Sequence, residues 1–341
     1  MRILIVTDAW SPQVNGVVRT LVSTTAALRT LGHEVVLVTP EGRVTLPMPL
    51  YPEIRLALFS NRSVGAAIRE ASPDAIYIAT EGPLGIAARA LCLDAGLSFA
   101  TGFHSRFPEF VAARVPLPGV LGMGYGLLRW FHAPSSAVLA PTPTVARDIA
   151  GSGFGNVRTW TRGVDHALFH PGLRREDHGL PRPLMLYAGR VAAEKGIEDF
   201  LRIDQPGTKV VVGDGPERPA LERAYPRVLF TGYKFGRDLA QWMADADVKV
   251  FPSRVDTFGL VMLEAMACGT PVAAYPVQGP IDVVADGVSG ALDADLGVAI
   301  DRAVAVSRAG VRAHALGFTW ERTAQLFADL MVPARRNVRA A

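Results

Sequence analysis

Two carboxylates with seven residues between them mark the segment most suited to chemistry. Phe251-Pro252-Ser253-Arg254-Val255-Asp256-Thr257-Phe258-Gly259-Leu260-Val261-Met262-Leu263-Glu264 reads as a strand end, a Gly-bearing loop and a helix that starts near Gly259. That order sets a helix N-terminus, with its backbone N–H groups, at the carboxyl edge of a sheet, and such a place binds phosphate. Phe258, Gly259 and Leu260 open the helix and are expected against the bound ligand. Glu264 falls one to two turns further on, where its carboxylate can accept from two neighbouring ribose hydroxyls. Asp256 precedes the helix on the loop, within reach of sugar hydroxyls.

A second cluster is cationic. In Gly189-Arg190-Val191-Ala192-Ala193-Glu194-Lys195-Gly196, two cations follow a strand end, five positions apart. Arg190 offers a fork to phosphate oxygens and Lys195 a point charge, so both can serve one diphosphate. Fixed cations stabilise a leaving diphosphate most as its negative charge grows in the transition state. Cations are disfavoured at a helix start by the dipole, which gives their presence here a functional reading.

The first half of the chain offers weaker signals. In Asp8-Ala9-Trp10-Ser11-Pro12-Gln13-Val14-Asn15-Gly16 a strand turns into a helix, and Gly16 would let phosphates approach the backbone. Arg19 follows one turn on. Gly102-Phe103-His104-Ser105-Arg106 trails a probable strand, which puts His104 where α/β proteins keep their active sites. Arg106 is a candidate for an anionic acceptor or a sugar carboxylate. Gly213-Asp214-Gly215-Pro216 and Gly232-Tyr233-Lys234 end two more strands, and backbone at Gly213 with help from Lys234 is expected near a nucleotide.

The block from Phe251 to Val272 resembles the acidic-pair motif of family 4 retaining glycosyltransferases, in which an acid, seven residues and a Glu precede a helix and a Gly-x-Pro-Val strand. The resemblance extends over nearly the whole chain and implies the GT-B fold. It assigns the donor sugar to Asp256, the ribose to Glu264, the diphosphate to Arg190 and Lys195, and a donor or acceptor contact to His104. Gly16 would face the diphosphate and acceptor. Asp256 stands where the family usually has Glu, shorter by one C–C bond or roughly 1.5 Å. Arg162 stands where Asn is more usual, and Asp165 beside it reads as structural.

The elements that must position these residues are strands alternating with helices. Ile3 to Val6, Val17 to Leu31 and Glu34 to Val38 make a βαβ unit. Strands at Ala75–Ile78, 98–101 and 138–140 complete an N-terminal domain over 1–168. The pattern restarts at Leu184–Ala188 and continues through 209–212, 228–230, Val248–Phe251 and 271–274. The expected fold is α/β: two Rossmann-like domains with parallel sheets facing a central cleft, the second spanning 169–318. The Pro- and Gly-rich stretch from His170 to Pro183 reads as the link. A helix from Thr319 to Leu330 opens a segment, 319–341, that either stays on the second domain or crosses back to the first.

Composition agrees with a globular protein. Of 341 residues 49% are apolar and 20% charged, with a net charge of +3 and a pI near 9.0. Nearly all cations are arginine; the lysines are Lys195, Lys209, Lys234 and Lys249. A mild basic excess suits phosphates or a membrane surface. Cys92 and Cys268 read as buried free thiols, and no Cys/His metal cluster is visible. No signal peptide or apolar run of ~18 residues is present, so a cytoplasmic protein is expected. The Gly-rich, aromatic stretch from Val115 to Ala133, with Arg114 and Arg129 near its ends, is either a peripheral membrane element or a buried core helix.

These readings converge on a retaining hexosyl- or hexuronosyltransferase that uses a nucleotide-diphosphate sugar, with UDP favoured. Segments around Trp130 and Trp160 resemble the lipid-glycosylating branch, which implies a diacylglycerol-type acceptor on the cytoplasmic face of the inner membrane. A GDP-mannose-dependent mannosyltransferase is the alternative, and a sugar-nucleotide epimerase the rival class of the same fold. No metal or other cofactor, and no nucleic acid, is called for. The missing Gly-x-Gly-x-x-Gly argues against a dinucleotide oxidoreductase.

Overall fold

The β-branched runs of the sequence become short parallel strands, buried on both faces because helices cover each side. The computed structural model describes residues 1–48, 51–58, 60–114, 117–175 and 177–334. Val115, Pro116 and the tail 335–341 lie outside the described residues, as does the side chain of Arg114. The chain divides into two compact units: Met1–Arg162 with the segment from Trp320, and Gly163–Thr319.

In the first unit the strands are β1 (Arg2–Val6), β2 (Glu34–Val38), β5 (Ala75–Ile78), β6 (Ala100–Gly102), β7 (Ala137–Ala140) and β8 (Val157–Thr159). A two-stranded antiparallel sheet, β3 (Thr45–Met48) with β4 (Tyr51–Ala57), interrupts the series. The main sheet runs β2-β1-β5-β6-β7-β8, and Ile5 sits opposite Leu37 on one side and Tyr77 on the other. The helix Trp320–Leu330 belongs to this unit and packs on the helix Gly16–Thr30. Its Ala324 and Phe327 are fully buried with Ile3, Ile5, Leu21 and Leu28. Trp160 locks the arrangement: its ring meets Tyr77 and Phe327 at 5.8 and 4.9 Å, and its indole N–H donates to the Thr323 carbonyl at 3.1 Å. Each such aromatic pair contributes about 0.5–1.5 kcal/mol beyond area burial.

In the second unit the strands are β9 (Leu184–Ala188), β10 (Thr208–Val212), β11 (Leu229–Gly232), β12 (Val248–Phe251), β13 (Val272–Ala274) and β14 (Gly290–Leu292). They run β11-β10-β9-β12-β13-β14, the doubly wound order whose direction reverses between β9 and β12. Leu184, Leu186 and Ala188 bury one face of β9 and Met185 and Tyr187 the other.

The segment that reads as a link, 170–183, is part of the second unit's structure. Val164, Phe169 and Leu173 enter its core. Arg174 and Arg182 pair with Asp247, and Arg175 with the buried Asp245. Its arginines are thus committed to specific partners, and the chain passes from one unit to the next at Arg162–Gly163. Strands β8 and β14 escaped the sequence reading, since three residues at a sheet edge carry no periodic signal. Cys92 and Cys268 are buried free thiols, each pushed up to about 12 by burial.

The apolar stretch resolves into the helix Val120–His132, which buries Leu128, Phe131 and His132. Gly124 lets it press on Pro108 of the preceding helix; an added Cβ would lie 2.8 Å from Pro108. The opposite side is exposed, so the helix is amphipathic and not a core helix enclosed on all sides. No helix among the described residues is long and apolar enough to cross a membrane.

Candidate active site

In the second unit the strand order brings the loops after β9 and β12 together at the point of reversal, where ligands of open α/β sheets bind. Lys195, on the first loop, places its ammonium 2.6 Å from the Asp256 carboxylate on the second. Burial alone would raise the Asp256 carboxyl. The Lys195 ammonium and, further off, the Arg190 guanidinium outweigh it and hold the group below its ordinary value. Arg190 is ion-paired with Glu194 within its own loop. The Tyr187 hydroxyl donates to the Arg190 carbonyl at 2.7 Å and so pins the start of that loop from below.

Glycines at the neighbouring strand ends are required by contact. Gly213 has φ +150° and lies so close to Gly189 that an added Cβ would sit 1.8 Å from its carbonyl oxygen. Its N–H donates to the Gly232 carbonyl at 2.9 Å, which knits β10 to β11. Gly259 takes φ +85° at the N-terminus of the helix Leu260–Ala267, and an added Cβ there would meet the Phe251 ring at 2.8 Å. Phe258 is buried in the core, and Leu260 packs against it, so what this turn can offer a ligand is backbone. Glu264 is buried on the same helix. Lys234 is half-buried on the loop after β11, and its sequence neighbours Tyr233 and Phe235 are exposed with their rings stacked on each other.

In the first unit the expected residues are held by their own surroundings. Asn15 caps the helix Gly16–Thr30, its side chain accepting from the N–H groups of Val17 and Val18 at 3.0 Å each. Those two donors are therefore engaged, and Gly16 itself is exposed without a positive φ. Arg19 lies half-buried one turn along. His104 bonds through both ring nitrogens. Arg162 can only donate, so its 3.3 Å contact makes Nδ1 the acceptor; the proton sits on Nε2, which donates to the Tyr77 hydroxyl at 2.9 Å. Burial, then the charge of Arg162 and the nearby His132, hold the ring well below its ordinary pKa and keep it neutral. Gly102 makes the meeting possible, since an added Cβ would lie 2.1 Å from the Tyr77 hydroxyl.

Arg106, expected on the acceptor side, lies among partners of its own unit. It donates to Glu109 at 2.9 Å and to the Tyr125 hydroxyl at 3.1 Å, and it pairs with Asp148. With two carboxylates already against it, its charge is compensated. Asp8, at the end of β1, accepts from Leu84 N, Gly85 N and Thr80 at 3.0, 3.3 and 3.1 Å. Burial nevertheless pushes its carboxyl up to about 6.

Sequence reasoning missed four supports. Tyr77 and Arg162 orient His104; both are buried, and burial lowers the Arg162 guanidinium to about 10. Gly279 presses on the Asp256 loop, where an added Cβ would lie 2.7 Å from the Asp256 carbonyl. Lys249 lies sealed inside β12. The departure of Arg162 from the family's Asn was the one visible signal. Among the described residues no three His, Cys, Asp or Glu side chains gather as a metal-ligand set.

Two doubly wound units, with cations and a carboxylate meeting at the reversal point of the second, define a glycosyltransferase of the GT-B class. Residues 14–168 match the profile described as Glycosyltransferase Family 4, and residues 182–308 that described as Glycosyl transferases group 1. A GDP-mannose-dependent alpha-mannosyltransferase of Mycolicibacterium smegmatis is 32% identical over 84% of this chain and 82% of its own length. A sulfoquinovosyl transferase of Arabidopsis thaliana is 28% identical over 77% of this chain and 57% of its own. Sucrose-phosphate synthase of Thermosynechococcus elongatus shares the fold, with a TM-score of 0.77 over 96% of this chain and 98% of its own at 23% identity. The chain belongs to family 4 of the glycosyltransferases.

Proposed function

We propose that the enzyme moves a hexosyl or hexuronosyl group, with retention, from a UDP-sugar to a diacylglycerol-type lipid on the cytoplasmic face of a membrane. The observation that carries the lipid acceptor is the outer face of the helix Val120–His132. Met123, Leu127 and Trp130 recur at helical spacing on that face, with Met123 72% and Leu127 57% exposed. Leu117 and Leu121 are exposed beside them. No acidic residue occurs from Phe110 to Arg147, which suits anionic headgroups. The Arg89 guanidinium lies 4.1 Å from the Trp130 ring centre, an amphipathic pairing fitted to an interface.

On the donor side, Arg190 and Lys195 take the diphosphate, Asp256 the sugar hydroxyls and Glu264 the ribose. Because Arg190 and Lys195 supply positive charge to the leaving group, the reading invokes no metal ion. The acceptor enters on the face the diphosphate leaves, and a diphosphate oxygen takes its proton. The remaining contribution of the protein is positioning.

A second reading, GDP-mannose-dependent α-mannosyl transfer to a lipid or soluble acceptor, is favoured by the name of the Mycolicibacterium relative. Mass spectrometry of products separates the two. The protein is offered UDP-glucuronic acid, UDP-glucose, UDP-galactose and GDP-mannose, each with and without diacylglycerol in mixed micelles. A glycosyl-diacylglycerol from a UDP-sugar is expected. Product from GDP-mannose alone replaces the first reading by the second, and transfer only to soluble acceptors removes the lipid.

A further inference from the structure

The Lys195–Asp256 pair joins the loop after β9 to the loop after β12, and a cluster around Tyr275 joins the same two segments a second time. Tyr275 directly follows β13 and is 5% exposed, its ring in one core cluster with Ile197 and Phe200. Its hydroxyl donates to the Asp199 carboxylate at 2.9 Å. The Arg254 guanidinium lies 3.5 Å from the centre of its ring and 3.8 Å from the Asp199 carboxylate. Asp199 belongs to the helix Ile197–Arg202, which begins two residues beyond Lys195, and Arg254 stands two residues before Asp256. Each segment therefore gives one residue to the ion pair and one to the clamp on Tyr275.

The paths from the clamp to the pair are short and held. The Asp199 N–H donates to the Gly196 carbonyl at 3.1 Å, so a shift at Asp199 passes to the residue beside Lys195. Gly196 takes φ +62° and presses on the other loop, where an added Cβ would lie 2.8 Å from the Pro252 carbonyl oxygen. The loop after β13 supports Asp256 as well, through the close approach of Gly279 to its carbonyl. Between these two points of support, the Val277 N–H donates to the Tyr275 carbonyl at 2.8 Å and turns the loop tightly. A phenylalanine would fill the core at position 275, so packing alone does not account for the hydroxyl. The Arg254 side chain is 56% exposed, and ordering an exposed arginine costs side-chain entropy. The stack thus adds little to global stability, and its effect falls on the loop it fixes.

We propose that Tyr275 is a positioning residue of the donor site. With Asp199 bound to its hydroxyl and Arg254 stacked on its ring, it sets the spacing of the two loops and so the place of the Lys195 ammonium beside Asp256. The role rests on the assignment of Lys195 to the donor diphosphate. A cation displaced by about 1 Å loses much of its value to the transition state.

Lys195 can be followed without any ligand. The chain has four lysines, so peptide mass spectrometry resolves the acetylation of each by dilute acetic anhydride. Tyr275→Phe keeps the ring and removes the bond to Asp199. It is expected to raise the rate at Lys195 about fivefold, the scale of one hydrogen bond, and to leave the rate at Lys234 and the melting temperature as in wild type. Arg254→Ala is expected to act alike, and the double variant to go no further than either alone. Unchanged reactivity of Lys195 in both variants overturns the proposal, and so does an equal rise at Lys234, the mark of general loosening. Calorimetry of UDP and GDP on the same proteins reads the donor site. Tyr275→Phe is expected to weaken nucleotide binding about fivefold, and to have no effect in a Lys195→Ala background, because the clamp acts through that residue. Losses that multiply in the combined variant overturn the proposal. Wild type that binds neither nucleotide removes the donor assignment and the role built on it; wild type that binds nucleotide, with Tyr275→Phe matching it in affinity, removes the clamp alone.

Discussion

The two units share an architecture and gather their candidate residues differently. In the second, charged residues from separate loops meet at the strand reversal, with Lys195 and Asp256 2.6 Å apart, and glycines let the backbone crowd around them. In the first, the residues expected to act are occupied: Asn15 takes helix N–H groups, His104 is bonded through both nitrogens, and Arg106 is matched by two carboxylates. The nucleotide side of such an enzyme needs fixed charge, which can be assembled in advance. The first unit presents apolar surface instead, on the helix Val120–His132.

That contrast can be broken most sharply at Lys195. Lys195→Ala should lower kcat by about 10²–10³-fold, as loss of one transition-state charge contact does, with the melting temperature little changed. Equal loss of folding and turnover would make the Lys195–Asp256 pair a structural brace and erase the difference between the units. Next is Gly102→Ala, which drives a Cβ into the Tyr77 hydroxyl and His104. We expect about 3 kcal/mol of destabilisation, read by denaturant unfolding, because the overpacking also breaks a buried hydrogen bond. A neutral outcome would mean that His104 and Tyr77 can separate freely.

The smallest expected effect concerns Asp8. Its folded pKa, about 6, is raised above the ordinary carboxyl value. Ionisation therefore opposes folding: stability is greatest below about pH 4, falls as pH rises toward 6, and is level beyond. A rise of about two pH units corresponds to about 2–3 kcal/mol, which Asp8→Asn should remove from the pH dependence. Parallel stability curves for wild type and variant between pH 4 and 7 would show that Asp8 does not titrate in this range.

Much of the local geometry of the second unit's candidate site was legible because its signals are local. The strand-loop-helix from Phe251 to Glu264 announces its geometry in consecutive residues, and Arg190 and Lys195 lie in one short loop. Lys249 was not legible, since Val-Lys-Val-Phe reads as alternation with the lysine facing water. The parallel sheet is covered on both faces, so the rule fails there. Tyr77 and Arg162 were hidden for another reason. They reach His104 from 27 and 58 positions away, and only the packing of β5 against β6 brings Tyr77 near. The link from His170 to Pro183 misled in the opposite direction, because its arginines are committed to Asp245 and Asp247.

The helix Trp320–Leu330 has a consequence for synthesis. The first unit is assembled from two stretches of chain separated by the whole of the second, and its core includes Ala324 and Phe327. As the chain leaves the ribosome, the earlier half must wait with Trp160 lacking Phe327 and the Thr323 carbonyl while residues 163–319 emerge. The continuous middle unit can reach its native form first, so the part of the protein translated earliest is the part completed last.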